Sequence, residues 1–485
     1  MITDRQPHEA ITIFKPGEFK PEDHWYPRAL NATIHPLMRF FLKISQERMV
    51  SRYCHLHPMV NRKFLTELLQ YKPKYLWWSG TDIINVTSSI GQRQMVVIET
   101  NSSPSGQKSM PHLSDYTEYG GYLPLMENSF KLYLKGKRMI ENGVLAVIYD
   151  KNQKEASGYA SAMAEAFQEE VYAVLYYTGE EQKHIRYSDG KMEIKVKNRW
   201  KPIRALFRYL TQKPWNRLPI GGKSIIYNPI IACLAGGRNK LMASKAYEFF
   251  NAELNGTGLH INAPETVWDV NKTEIPLWVR KFGGHAVIKI PYSNAGQGVF
   301  TITNQKELDD FMEQEFEYQK FIVQSLIGNF HWSSSTEKGR LYQVGTMPDK
   351  LGNSYVSDLR CMIYYTAEGY RPLCMYSRKA ALPLKDVLDK KANSWEILGT
   401  NLSIKTGKHE WDSDTNRLIL MDLKDFNQLG LGIDDLIESY IQSILATIAI
   451  DKLADKLMSS TGGIKKKLFQ SLNPDKTLME EILNI

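Results

Sequence analysis

Much that would settle the class of this chain at a glance is missing from it. Its 485 residues carry four cysteines, Cys54, Cys233, Cys361 and Cys374, too few for the disulfide framework of a small secreted domain. The opening MITDRQPHEAITIF lacks the charged-then-apolar order of a secretory leader. Both absences point to a cytoplasmic chain with free thiols. No apolar run approaches the roughly 20 residues that span a bilayer, so no membrane role is expected. Lysine and arginine exceed the acidic residues by 61 to 53, a formal charge of +8, yet no arginine-rich block or basic arm collects the excess. Nucleic acid is therefore not an expected partner. The one dense run, Ile464-Lys465-Lys466-Lys467, follows two glycines and suits a solvated tail. Two glycine-rich nucleotide fingerprints are absent as well: no GxGxxG follows the first strand of the middle region, and no glycine turn opens a helix with a Lys-Ser/Thr pair. Cys54-His55-Leu56-His57 has no second ligand pair at zinc-finger spacing.

What is present describes an ordinary multi-domain protein. The length suggests two to four packed modules, and 43% hydrophobic with 24% charged residues is near the soluble average. Leu37, Phe40, Phe41 and Ile44 recur at helical spacing after Pro36, and a second helix is expected over 61–71. YLWWSGTDIINVT and QRQMVVIETN read as a hairpin turning near Ile90-Gly91. From 144 to 235 the order is strand (VLAVIYD), helix, strand (VYAVLYY), hairpin (IRYSDGKMEIKV) and strand (RALFRYL), which implies a partly parallel sheet with ligands at its strands' carboxyl ends. A helix follows over about 238–253. HAVIKI and VFTI then flank a small-residue loop, FIVQSLIGN and VSDLRCMIYY are further strands, and 433–457 is a long amphipathic helix. Trp77-Trp78 suits core packing.

Two constellations carry chemistry. Residues two apart on a strand share a face, so Glu99 and Asn101 project together. With the turn at Ile90-Gly91, cross-strand partners sum to 181 and Asp82 falls opposite Glu99. Two carboxylates and an amide oxygen, without histidine or cysteine, suit Mg²⁺ or Mn²⁺ rather than zinc; the same spacing also suits a solvated amphipathic hairpin. The second constellation is Lys289 with the loop Tyr292-Ser293-Asn294-Ala295-Gly296-Gln297-Gly298, whose glycines let backbone N–H groups turn toward phosphate oxygens.

The string IETNSSPSG resembles the glutamate-x-asparagine-x-serine-proline motif that ends the catalytic domain of ATP-grasp ligases, and Gly80-Thr81-Asp82 resembles their preceding glycine-x-aspartate. Asn239-Lys240 resembles the start of the first ATP-binding helix, with Asn239 in place of aspartate. VIKIPYSNAGQGVF resembles the second lysine and phosphate-covering loop, and IVQSLIG the adenine hinge. Asp358-Leu359-Arg360 and Ser377-Arg378-Lys379-Ala380 look like the paired arginine strands. SWEILGTNLSIKTG resembles the ligases' Ser-Asn-Leu stretch, with Asn401 in register. The metal strands come first here, so the chain looks circularly permuted. A segment over about 330–355 separates the hinge from Asp358.

The resemblance implies an α/β fold of the α+β ATP-grasp type, circularly permuted, with an inserted Rossmann-like pre-ATP-grasp αβ domain. The expected divisions are 1–112 (permuted catalytic part with the metal hairpin), 113–235 (αβ domain), 236–316 (lid with phosphate loop) and 317–485 (the remaining large subdomain). It implies an ADP-forming ligase that activates a carboxylate as an acyl phosphate and joins it to an amine on a small amino acid or peptide; a homodimer is an allowed assembly. Asp82, Glu99 and Asn101 would hold the metal. Lys240, Lys289, Ser293, Asn294, Ala295, Gly296, Gln297, Gly298, Gln324, Ser325 and Leu326 would hold ATP. Arg360, Arg378 and Asn401 would act on the reacting groups. A small-molecule kinase of the same fold and a non-catalytic nucleotide-binding scaffold are the alternatives.

Overall fold

The computed structural model describes residues 10–114, 118–177, 183–211, 217–293, 296, 298–388, 393–405 and 411–483. Within them the fold is mixed α/β, built on a seven-stranded, a six-stranded and a four-stranded sheet.

The seven-stranded sheet grows from the alternation read in the middle of the chain. Val144–Tyr149 pairs in parallel with Val171–Leu175 and with Arg199–Tyr209, and Arg199–Tyr209 pairs in parallel with Ile225–Tyr227. The helix Gln153–Phe167 makes the crossover. Asp189 and Gly190, both at positive φ, turn the hairpin Ile185–Ser188/Lys191–Val196, as an Asp-Gly pair does at low steric cost. One strand is not predicted by the sequence pattern: Ile11–Phe14 lies antiparallel to Val171–Leu175. The first strand, although within 1–112, therefore joins the middle sheet; four residues are too few to show periodicity.

The six-stranded sheet is assembled from two distant stretches of chain. Trp78–Ser88 is flanked by Arg93–Asn101 on one side and by Ser357–Thr366 on the other; Gly369–Lys379 and Leu418–Ile419 continue outward. The segment at 330–355 supplies Leu341–Gln343, a short strand against the end of Trp78–Ser88. The four-stranded sheet runs Thr266–Asn271, Lys320–Ser325, Ala286–Lys289, Val299–Ile302, so it extends past the expected boundary at 316.

Helix Ile433–Leu457 has the expected bounds but not the expected exposure. Ser439, Ser443, Thr447 and Asp451 form an i, i+4 polar stripe that reads as a solvent face. All four are buried. Ser439, Ser443 and Thr447 donate to the carbonyls four residues earlier at 2.8, 2.7 and 2.7 Å, which satisfies each hydroxyl inside the helix. Asp451 accepts the backbone N–H groups of Lys74, Tyr75 and Leu76 and the Tyr71 hydroxyl, tying the helix to the entry of the Asp82 strand. Among the described residues no helix is long and apolar enough to cross a membrane.

Candidate active site

The hairpin pairs Asp82 with Glu99, Thr81 with Thr100 and Gly80 with Asn101. That is the expected register, but the turn does not produce it. From Ile83↔Val97 down to Thr87↔Arg93 the strands run one residue shorter, and a bulge at Ile98 takes up the difference. Without the extra residue Asp82 would oppose Ile98. A bulge inserts one unpaired residue and re-aims the side chains beyond it; here it turns the Glu99 side chain into the cleft, and the Ile98 carbonyl accepts from Lys289 Nζ at 3.4 Å.

Across the sheet the register aligns Glu99, Asp82, Arg360 and Tyr376 in one row. Arg360 grips Asp82 through Nε and Nη2 at 2.5 and 2.6 Å. Arg378 reaches the same carboxylate at 2.9 Å and also holds Asp358. Burial pushes the Asp82 carboxyl upward, but the two guanidinium groups outweigh it and hold it down at about 2. Arg360 Nη1 and the Tyr376 hydroxyl both donate to the Ser105 carbonyl, at 3.2 and 3.0 Å. This fixes the Ser/Pro/Gly turn after Asn101 against the arginine row.

Two lysines face the row, one from the four-stranded sheet and one from a helix. Lys289 ends strand Ala286–Lys289, and Lys240 opens helix Lys240–Glu253. Lys240 Nζ lies 3.8 Å from Glu99 Oε2 and donates to the Ser293 carbonyl at 2.8 Å. Burial lowers both ammonium groups, against the pull of Glu99; Lys289 comes down to about 8. Asn239 caps the Lys240 helix by accepting from Met242 N, a role for which Asn serves as well as Asp. It also donates to Asn473 Oδ1, which accepts from the Tyr292 hydroxyl too. The polar C-terminal stretch thus braces both ends of the lysine wall.

The cleft is lined by Asp82, Glu99, Asn101, Lys289, Gly296, Gln324, Ser325, Leu326, Arg360, Arg378 and Asn401. Lys240 lines an adjoining pocket with Glu99 and Lys289. Gly296 has φ of 76° and its added Cβ would lie 3.1 Å from the Trp395 ring and 3.4 Å from Asn401, so this loop position both needs glycine and touches the Asn401 segment. At Gly298 a Cβ would meet Ser293 at 2.4 Å. Ser293 and Gly298 lie at the foot of the loop and do not line the cleft; Asn294, Ala295 and Gln297 lie outside the described residues. Within the hinge, Leu326 N–H donates to Ser334 Oγ at 2.7 Å and Gln324 Nε2 donates to Thr266 at 2.8 Å. Their polar groups stabilise the hinge itself.

The expected metal trio separates into two roles. Glu99 and Asn101 present oxygen donors to the cleft and fit a hard cation that shares its shell with phosphate oxygens. Asp82 does not fit with them, because both its oxygens accept from guanidinium groups. Among the described residues no three His, Cys, Asp or Glu side chains converge.

Further cleft residues are not among those singled out from the sequence. Lys151, Asn152 and Thr211 stand at the carboxyl ends of parallel strands, and Lys108, Arg238, Tyr26 and Tyr376 complete the wall. The rule that ligands sit at strand carboxyl ends marks Lys151 and Thr211; nothing in the sequence marks Lys108.

No protein-family model matches this chain, and no curated protein does. Solved structures do. A glutathione synthetase-like effector from Globodera pallida is 10% identical, with 71% of this chain and 81% of that one covered at a TM-score of 0.39. The ATP-grasp RimK-domain protein of Sphaerobacter thermophilus is 12% identical over 47% of this chain and 90% of its own, at a TM-score of 0.29. D-alanyl-alanine synthetase A of Vibrio cholerae is 11% identical over 49% and 89%, TM-score 0.30. By name, these proteins are an effector likened to glutathione synthetase, an ATP-grasp protein and a synthetase.

Proposed function

We propose that the chain is a circularly permuted ATP-grasp ligase that forms an amide bond between a small carboxylate and an amine, with ADP and phosphate as products. The observation that carries this reading is the meeting of Glu99 and Asn101, Lys289, and Arg360 and Arg378 around one cleft, with Lys240 in the pocket that adjoins it, from segments up to 279 residues apart. An unpermuted order of the same parts would place the arginine strands before the metal hairpin.

In this reading Lys240 and Lys289 neutralise the phosphates of ATP and hold the γ-phosphorus in line with the substrate carboxylate. Magnesium, held by Glu99 and Asn101, would supply further charge neutralisation at the phosphates. The carboxylate oxygen attacks the γ-phosphorus and ADP leaves; the amine then attacks the acyl carbon and phosphate leaves with the bond electrons. A guanidinium offers five N–H donors, and Asp82 and Ser105 take three from Arg360, so Arg360 can face the oxyanion that develops at the acyl carbon without leaving its carboxylate. Asp82 acts as the positioning residue for both arginines. The buried thiols Cys233, Cys361 and Cys374 support a reducing, cytoplasmic setting.

The test is a screen of amino acids and short peptides in pairs for ADP release, with hydroxylamine present to trap an acyl phosphate. The expected result is a hydroxamate without the amine and an amide with it. AMP and pyrophosphate would overturn the reading, and a product that keeps its phosphate would replace it with a kinase.

A further inference from the structure

Lys108, Lys151 and Arg238 have no part in the amide-forming reaction, yet all three line the cleft. Each comes from a different place: the turn after Ser105, the carboxyl end of strand Val144–Tyr149, and the residue before the Lys240 helix cap. Among the described residues that line the cleft, six cations face three carboxylates, and those carboxylates are met by Arg360, Arg378 and Lys240. The acids near these three cations also hold loops in place, and Glu155 with Tyr26 favours the charged form of Lys108 against its burial. Glu155 accepts from Ser105 Oγ, Gly106 N and Gln107 N at 2.6, 2.8 and 2.9 Å. Asp150 accepts from Thr211 N and from Arg217, at 2.9 and 2.7 Å.

The three cations do not resemble solvated surface residues. Lys108 is 8% exposed; its ammonium lies over the Tyr26 ring and donates to Asn152 Oδ1 at 3.3 Å. Arg238 donates through Nη2 to the Ser103 carbonyl, while its Nε is buried with no hydrogen-bond partner among the described residues. Burial, against the pull of Asp150 and aided by Arg238, Lys108 and Arg360, brings Lys151 down to about 8. Holding like charges together out of water is unfavourable unless an anion joins them. The Ser105 carbonyl, bonded by Arg360 and Tyr376, sits three residues before Lys108, so this wall adjoins the arginine row.

We propose that Lys108, Lys151 and Arg238 form an oxyanion subsite that holds a second anionic group, carboxylate or phosphate, of the substrate whose first carboxylate is activated beside Arg360. The identity of the bound molecule as a substrate rests on the ligase reading; the anion site itself does not. The substrate class is then a small acid with two anionic ends, such as a dicarboxylate, a peptide with a free carboxylate on each side, or a phosphorylated acid.

The test is trace acylation of the full chain at pH 8, read lysine by lysine through peptide mass mapping at constant ionic strength. The probes are glutarate, its monomethyl ester and O-phosphoserine, each with and without magnesium ADP. Glutarate or O-phosphoserine is expected to slow labelling of Lys108 and Lys151 at least threefold more than the monoester does, and the stronger of the two identifies the second group as carboxylate or phosphate. Arg238→Gln should abolish the protection of Lys151, while Lys289→Met should keep it. Equal labelling with monoester and dianions, or protection by nucleotide alone, overturns the subsite. Failure of ADP to protect Lys289, with dianion protection intact, overturns the ligase reading and leaves the subsite standing.

Discussion

The arginine row and the lysine walls are built from the same kinds of charge and solve opposite problems. In the row each guanidinium meets a carboxylate on the next strand, Arg360 with Asp82 and Arg378 with Asp358, and Arg378 also reaches Asp82 one strand further on, so the charges balance inside the protein. In the walls burial depresses Lys289 and Lys151 to about 8, because nearby carboxylates do not fully offset desolvation. The row is organised by the fold; the walls are organised for something that brings negative charge. The same cleft therefore combines a stable scaffold with a binding surface whose charge is adjustable near neutral pH.

That contrast is most sharply broken at Asp82. Asp82→Ala leaves two buried guanidinium groups facing each other, and removal of one partner of a buried pair costs roughly 3–5 kcal/mol. Thermal and urea unfolding should show that loss without any ligand present; a variant as stable as the parent would mean that the row is not structural. Lys289→Met should do the reverse, keeping or raising stability while weakening nucleotide binding by about tenfold or more, as loss of a charged hydrogen bond of ~1.5–3 kcal/mol requires. Calorimetric titration with magnesium ADP reads the difference.

A smaller effect comes from pH. The folded Lys289 titrates at about 8, below the roughly 10.4 of an unfolded chain. Between those values the unfolded state binds more protons, so this lysine's penalty on folding is present below pH 8 and is relieved as pH rises toward 10.4. Binding runs the other way: phosphate favours the ammonium form, so nucleotide affinity should fall as pH rises through about 8, and Lys289→Met should flatten that slope. Smallest of all, an added glycine beside Gly91 should change stability by no more than about 0.5 kcal/mol, since the bulge at Ile98 and not the turn sets the register of Asp82 and Glu99.

What could be read from the sequence divides along physical lines. Strands with continuous apolar runs, such as 144–149 and 171–175, and the bounds of helix 433–457 were legible because periodicity and length are local. The Asp82–Glu99 pairing was legible too, although the arithmetic from the turn holds only through an extra residue at Ile98 that no local signal marks. The burial of Ser439, Ser443 and Thr447 was not legible, since back-bonded hydroxyls look like solvent-facing ones. Nor was the arginine grip on Asp82, which spans 278 residues and exists only in the assembled sheet. Lys108 carries no local signal either, for the same reason.

Synthesis gives that long separation a cost in time. Asp82 emerges 278 residues ahead of Arg360, and at about 5–20 residues per second the wait is roughly 14–56 s. During it the strand Trp78–Ser88 has one neighbour in place and one missing edge, because Ser357–Thr366 does not yet exist. A growing chain therefore carries an unpaired apolar strand edge throughout that wait, and a chaperone that shields such edges should raise its yield more than a slower rate of translation would.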